Sequence, residues 1–215
     1  AGTAAEVTIN YVITDVEKKR KFVCVDTNDI PEIAVVDPDM MSSMPKGLTA
    51  ATGMDALTHA IEGYITKGHC TISDMFHLEA IKLISENLRG AVQNTPEGRE
   101  GMALGQYIAG MGFSNVGLGI VHSMAHKTGA AFADYGAHII HGAANAMYLP
   151  KVIAFNTKDP EAKKRYGVIA DEMKLGGSND DEKVKLLIEY LRGMNDALNI
   201  PHCIKNYGPD SYPTE

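Results

Sequence analysis

The sequence predicts a mainly α-helical fold that is preceded by a short β segment. Residues 7–13, VTINYVI, alternate in character and are rich in β-branched types. A charged turn and a second such run, FVCVD at 22–26, complete a predicted β-hairpin. From about residue 46 almost to residue 200, the apolar residues recur instead at the helical period.

The individual elements follow from this change of period. The apolar run IAVVDP at 33–38 predicts a short buried strand that Asp-Pro ends. Thr49 and Thr52 are candidate caps for an amphipathic helix that includes residues 53–64. Further helices are predicted over 73–89, 99–112, 114–129, 141–155, 159–173 and 180–198. We therefore divide the chain into a β portion, 1–45, and a helical domain, 46–215.

Composition excludes several classes of partner. The net charge is −7, and the longest basic block is the short EKKRK at 17–21, so we expect neither nucleic acid nor a membrane surface as a partner. No apolar run approaches the ~20 residues of a membrane span. Cys24, Cys70 and Cys203 are far apart and form no CxxC pair. We expect no thiolate zinc site, no disulfide framework and a cytoplasmic location.

Pairs of potential metal ligands recur at helical spacing. Asp55 and His59 are four residues apart in GMDALTHAIEGY, and His122 and His126 are four apart in GIVHSMAHKTG. Residues at this spacing share one face of a helix. Carboxylate and imidazole together suit zinc or iron(II), so these segments predict a metal site that acts as a Lewis acid.

A third segment, AHIIHGAANAMYLP, carries His138 and His141 and supplies a further candidate ligand. The ordinary alternative is that each pair lies on a solvated helix face and that His141 merely begins a helix. The remaining histidines, His69, His77 and His202, have no matched partners, and we interpret them as surface residues. The glycines of GMGFSNVGLGI favour a tight helix crossing over a phosphate-binding loop.

The segments GLTAATGMDALTHAIEGYIT, GMGFSNVGLGIVHSMAH and HGAANAMYLP resemble the signatures of the iron-dependent (group III) alcohol dehydrogenases. The resemblance covers nearly the whole chain, and residues 1–126 are most similar to one bacterial aldehyde reductase of that family. It implies the dehydroquinate synthase-like fold, in which an α/β nucleotide-binding domain precedes an all-helical metal-binding domain. Residues 1–45 would be the C-terminal strands of a truncated nucleotide-binding domain. Residues 46–215 would be the metal-binding catalytic domain, with an incomplete C-terminus.

The resemblance also assigns roles to individual residues. The implied metal ligands are Asp55, His59, His122 and His141. His126 is the implied catalytic histidine near nicotinamide and substrate. The positions implied on the nucleotide side of the cleft are Thr3, Thr8, Asn10 and Lys21.

The fourth ligand has two candidates because the segment KTGAAFADYGAHIIHG is longer than the corresponding loop of the most similar relative. His138 therefore competes with His141. We favour His141 because Gly142, Asn145 and Pro150 keep the family motif in frame with it.

The implied function is NAD(H)-linked reduction of a small aldehyde, such as lactaldehyde, by hydride transfer to a carbonyl that Fe²⁺ or Zn²⁺ polarises. A homodimer or larger homo-oligomer is the expected assembly. The family's glycine-rich phosphate-binding segment does not occur in the sequence, so the alternative is a non-catalytic metal-binding helical fragment. A metal-dependent phosphohydrolase is disfavoured because the sequence contains no His-Asp dipeptide.

Overall fold

The computed structural model describes residues 3–15, 17, 20–132 and 139–207, without the side chains of Thr14, Arg20 and Lys21. This part of the chain contains one two-stranded sheet and seven α-helices. The strands are β1 (Asn10–Asp15) and β2 (Arg20–Val25). The helices are α1 (Lys46–Ile65), α2 (Thr71–Val92), α3 (Pro96–Val116), α4 (Ile120–Ala131), α5 (His141–Asn156), α6 (Pro160–Glu172) and α7 (Asp180–Ala197). The predicted fold class, mainly α after a short β portion, is confirmed.

The β portion is an antiparallel hairpin, as predicted. Asn10 pairs with Val25 at its open end, and Asp15 pairs with Arg20 beside the turn. The predicted buried strand at 33–38 is wrong, because these residues lie in no strand and Ile33 is 80% exposed. A strand needs a neighbour for its backbone hydrogen bonds, and among the described residues the sheet contains only β1 and β2.

Helix α1 is the central element of the helical domain. It packs against α2, α3 and α5 and is buried over almost its whole length. Met54, Leu57 and Ile61 are fully buried. Because such a helix has no solvated face, the expectation of an amphipathic helix is wrong, and each polar side chain on α1 requires a partner inside the protein.

The predicted threonine caps of α1 are also wrong, because the helix begins at Lys46 and both threonines lie within it. The Thr52 hydroxyl donates to the carbonyl oxygen of Leu48 at 2.8 Å. Thr49 accepts a hydrogen bond from the Arg99 guanidinium at 3.0 Å. Both threonines therefore stabilise the first turns of the helix from inside it.

Helices α6 and α7 are the charged outer helices that the sequence predicts. They pack against each other, and α7 also packs against α5. The apolar stripe of α7, which includes Leu187 and Leu191, is fully buried, while its acidic first turn is largely exposed. Within the described ranges, no helix is both long enough and apolar enough to span a bilayer.

His77 departs from the surface interpretation, since its side chain is fully buried between α1, α2 and α3. Gly63 of α1 and Gly112 of α3 face the imidazole so closely that a methyl group at either position would overlap it. Neither ring nitrogen has a hydrogen-bond partner within the described part of the chain. Burial lowers the pKa of the His77 imidazole from 6.5 to about 4, so the side chain is neutral at neutral pH.

This depressed pKa predicts a loss of stability in mild acid. The unfolded chain binds the proton more tightly than the native protein, so the stability due to neutral His77 is present above pH 6.5 and is lost as pH falls towards 4. Between pH 7 and pH 5 we expect the titration of His77 to lower the free energy of unfolding by about 2 kcal/mol. Urea unfolding of the parent and His77→Gln at both pH values measures this contribution as the difference between their losses.

If His77→Gln loses as much stability as the parent between the two pH values, the buried neutral imidazole is not the cause.

Candidate metal centre

Three buried side chains from two helices converge beneath the β portion. Asp55 and His59 lie on successive turns of α1, and His122 lies in the first turn of α4. One potential ligand atom from each residue lies within 4.8 Å of the other two. The rings of His59 and His122 stack with their centroids 4.4 Å apart, and Nε2 of His122 lies 3.5 Å from Oδ1 of Asp55. The structure thus brings together three of the four predicted metal ligands as one cluster.

His141, the first residue of α5, lies at the edge of this cluster. Its Nε2 is 3.6 Å from Oδ1 of Asp55. His126 is one turn beyond His122 on α4, is half-buried, and stacks on His141 with ring centroids 4.6 Å apart. His126 is therefore adjacent to the cluster through His141. The competing candidate His138 lies outside the described residues.

Two further buried residues, to which the sequence assigned no role at the site, hold the cluster in place. Glu62 accepts a hydrogen bond from Nδ1 of His122 at 2.7 Å. The amide nitrogen of Asn145 donates to Oδ1 of Asp55 and to Nε2 of His141, at 2.5 and 3.1 Å. The signal for Glu62 was in the sequence: it follows Asp55 by seven residues and His59 by three, and so shares their helix face.

Burial and neighbouring charge set the protonation of these groups. Burial lowers the pKa of His59 to about 3. Burial opposes a charge on His122, but the negative charges of Asp55 and Glu62 and the hydrogen bond to Glu62 outweigh it and raise the His122 pKa to about 9. Burial raises the pKa of Asp55, but the positive charge that His59 carries in strong acid and that of His122 outweigh it and hold the Asp55 pKa below its usual range. The proton on His122 supplies the positive charge that a divalent cation would supply on binding.

The cluster faces a cavity of about 430 Å³, within the size range of small-molecule sites. The metal-side wall contains the three clustered residues together with His126 and His141. Thr3, Thr8 and Asn10 of the β portion also line this cavity. These predicted nucleotide-side residues thus lie in the same cleft as the cluster. The side chain of Lys21, the fourth of them, is outside the described part of the structure.

A larger cavity of about 680 Å³ adjoins this one at Leu118 and Gly119. It lies among α1, α4, α5 and α6, and its walls include Glu62 but none of the clustered ligands. The convergence of potential metal ligands makes the smaller cavity the candidate functional site.

The helical domain matches the family model described as Fe-containing alcohol dehydrogenase family, C-terminal, over residues 49–212. The chain belongs to the Fe-containing alcohol dehydrogenase family. All of the predicted metal ligands, and His126, lie within the matched residues.

Related proteins support this membership. The chain is 50% identical to lactaldehyde reductase from Escherichia coli (strain K12) over 208 residues, which is 97% of this chain and 53% of that protein. It is 47% identical to an NADPH-dependent butanol dehydrogenase from Clostridium saccharobutylicum, over 97% of this chain and 52% of that one. A crystal structure of 1,3-propanediol oxidoreductase superposes with a TM-score of 0.87 at 38% identity, over 96% of this chain and 53% of that chain. The chain spans about half the length of the curated relatives it matches.

In this member of the Fe-containing alcohol dehydrogenase family, the clustered residues fit the metal that the family name implies. Nε2 of His122 is buried and has no hydrogen-bond partner among the described residues, although it faces the Asp55 carboxylate. Such an atom carries a desolvation cost unless something else binds there. One carboxylate and two imidazoles, with a third imidazole beside them, form the nitrogen and oxygen donor set that iron(II) and zinc accept.

Gly142 allows α5 to approach α1 closely enough to complete the site. A methyl group at Gly142 would overlap the carbonyl oxygen of Ala51 and lie 3.0 Å from Cβ of Asp55. Because the first obstacle is backbone of the central helix, it cannot move aside as a flexible side chain can. The close approach places His141 and Asn145 beside Asp55.

We expect Gly142→Ala to separate α5 from α1 and to weaken both stability and metal binding. The change should lower the free energy of unfolding by about 1–3 kcal/mol, as overpacking of a core does. Chemical denaturation and a zinc titration measure the two effects. As the control, Gly193→Ala changes an α7 residue with nothing within 4 Å of the new methyl group. The control should bind zinc as the parent does, and unaltered stability and binding in Gly142→Ala would contradict the packing argument.

Proposed function

We propose that this chain carries the metal-binding half of a metal-dependent, NAD(H)-linked alcohol dehydrogenase that reduces a small aldehyde. One observation carries the proposal: a buried carboxylate and buried imidazoles converge in a cavity that residues of the β portion also line. The relatives named as reductases and dehydrogenases of small aldehydes and alcohols support the same chemistry.

The residues that would hold the metal are Asp55, His59, His122 and His141. A divalent metal bound there supplies Lewis acidity towards a carbonyl or alcohol oxygen. Asp55 contributes the negative charge that offsets part of the charge of the ion. His59 is neutral at physiological pH because burial holds its pKa at about 3, so its lone pair is available. We propose iron(II) on the basis of the family, and zinc suits the same donors.

His126 is the proposed proton-exchanging residue. It lines the same cavity and stacks on His141, yet it is not part of the Asp55–His59–His122 cluster. An imidazole in this position can exchange a proton between the reacting oxygen and solvent in the cleft.

Thr3, Thr8 and Asn10 are proposed to position the nicotinamide cofactor, whose chemistry is to supply or accept the hydride. Their support is that they line the same cavity as the metal cluster, in the part of its wall that the β portion forms. The assignment of Lys21 rests on the family resemblance. We propose residues 1–45 as the part of the nucleotide-binding domain that contributes this wall, and residues 46–215 as the metal-binding domain.

Lactaldehyde, reduced to propane-1,2-diol, is the proposed substrate. Its support is the 50% identity to a lactaldehyde reductase and the modest cavity, whose volume suits a small aldehyde beside a nicotinamide ring. A cytoplasmic location agrees with the three free cysteines. The homodimer remains a prediction.

The proposed division of roles predicts different metal binding in two matched variants. His122→Ala removes a clustered donor and should abolish binding of zinc or anaerobic iron(II). His126→Ala removes a similar ring one helical turn away and should retain most of it. Elemental analysis and isothermal titration measure the stoichiometry and affinity of both variants. Equal loss of metal in the two would contradict the separation of ligand from proton-exchanging residue.

Hydride transfer tests the enzyme proposal itself. The metal-loaded chain is mixed with lactaldehyde and either NADH or NADPH, and the loss of nicotinamide absorbance is followed. Aldehyde-dependent oxidation that disappears with chelation or in His122→Ala supports a dehydrogenase. Metal binding without oxidation of either cofactor favours the second candidate, a metal-binding unit without activity of its own, in agreement with its spanning about half of its relatives.

A further inference from the structure

Glu62 is the acidic residue of α1 that the proposed ligand set leaves unused, although it is as deeply buried as Asp55, His59 and His122. Its side chain is only 6% exposed. Burying a carboxylate in a helical core is costly unless hydrogen bonds compensate it. The contacts of Glu62 therefore indicate what it does.

Both carboxylate oxygens of Glu62 accept hydrogen bonds from the start of α4. Oε1 accepts from the backbone N–H of Val121 at 2.7 Å. Oε2 accepts from the backbone N–H groups of Gly119 and His122, each at 3.2 Å. These donors have no partners within their own helix, and a carboxylate at a helix N-terminus is favoured. Glu62 thus fixes the end of α4 that carries His122 to the helix that carries Asp55 and His59.

The fourth hydrogen bond determines which nitrogen of His122 can bind a metal. Oε2 of Glu62 lies 2.7 Å from Nδ1 of His122. A carboxylate can only accept, so Nδ1 carries the proton, and in the neutral ring the lone pair is then on Nε2. Nε2 is the buried atom that has no hydrogen-bond partner in the described part of the chain and lies 3.5 Å from Asp55.

The backbone leaves a space for this arrangement at Gly119. A methyl group at that position would lie 2.7 Å from Oε1 of Glu62 and 3.2 Å from its carboxyl carbon. Any larger residue at 119 would displace the carboxylate from its four donors.

We propose that Glu62 is the positioning residue of the metal site, holding His122 in the tautomer and orientation that direct Nε2 towards Asp55 and His59. The inference rests on the proposed metal site. It adds that the site consists of a metal-binding face and a supporting carboxylate on the same helix, α1, and that α4 is held in place through Glu62.

The test replaces the carboxylate by its isosteric amide in the 215-residue chain. In Glu62→Gln, the amide NH₂ must face either the ring N–H of His122 or the backbone N–H of Val121, so one donor meets another. We expect the zinc affinity, measured by competition with a chromophoric chelator, to fall 10- to 100-fold, the range for loss of a partner that orients a metal ligand. Glu79→Gln makes the same chemical change on the exposed face of α2 and should bind zinc as the parent does.

A spectroscopic readout separates positioning from a general loss of structure. In the zinc-loaded parent with ¹⁵N-labelled histidine, the Nδ1–H proton of His122 should give a slowly exchanging NMR signal. That signal should move upfield and exchange faster with solvent in Glu62→Gln, because a neutral amide oxygen accepts more weakly than a carboxylate, while the helical circular dichroism is retained. Gly119→Ala displaces the carboxylate without altering it and should weaken zinc binding in the same direction. Gly47→Ala, where nothing lies within 4 Å, is its control.

The outcomes distinguish this inference from the proposed function. If the parent chain binds no zinc, both proposals are overturned. If the parent binds zinc and the folded Glu62→Gln and Gly119→Ala variants bind it equally well, the metal site stands and the positioning role of Glu62 is overturned. A weaker affinity with the Nδ1–H signal unchanged also overturns the role, because His122 would then keep its tautomer without Glu62.

Discussion

The structure depends on the burial of polar groups in its central helix. α1 is enclosed by α2, α3 and α5, and yet one face of it carries Asp55, His59 and Glu62. Water cannot solvate these groups, so the surrounding helices must compensate them. Asn145 of α5 donates to Asp55, and the first turn of α4 donates to Glu62. The hydrogen bonds that these buried side chains require therefore determine how α4 and α5 pack against α1. The same contacts bring the potential metal ligands together.

The site also requires that the helices approach one another closely, and glycines make this approach possible. Gly142 lets α5 reach the backbone of α1, and Gly119 leaves room for the carboxylate of Glu62. The same close packing leaves the buried His77 ring between two glycines. Neither of its ring nitrogens has a hydrogen-bond partner among the described residues. Within GMGFSNVGLGI, Gly112 packs against His77 of α2, as a tight helix crossing predicts, whereas Gly117 ends α3 with a φ of 80°, and a methyl group there would have nothing within 4 Å.

The sequence predicted what depends on period and spacing. The hairpin, the helices and the pairs Asp55–His59 and His122–His126 all follow from local pattern, and family resemblance connected them into one site. The sequence could not show which helix is central, because burial of α1 depends on neighbours far along the chain. For that reason the amphipathic assignment of α1 and the surface assignment of His77 were wrong. The buried strand at 33–38 was wrong because no strand among the described residues pairs with it. The role of Glu62 was also missed, because its partners lie 57 to 60 residues away on α4.

The central claim is that Asp55, His59, His122 and His141 form one preformed metal site. Anomalous diffraction from crystals of the protein loaded with zinc or iron(II), recorded at the absorption edge of that metal, tests it most directly. The account predicts one anomalous peak per chain, about 2.0–2.2 Å from an oxygen of Asp55 and a ring nitrogen of each of the three histidines. A peak at another place in the molecule, or a fully loaded crystal in which these four side chains do not contact the metal, would contradict it.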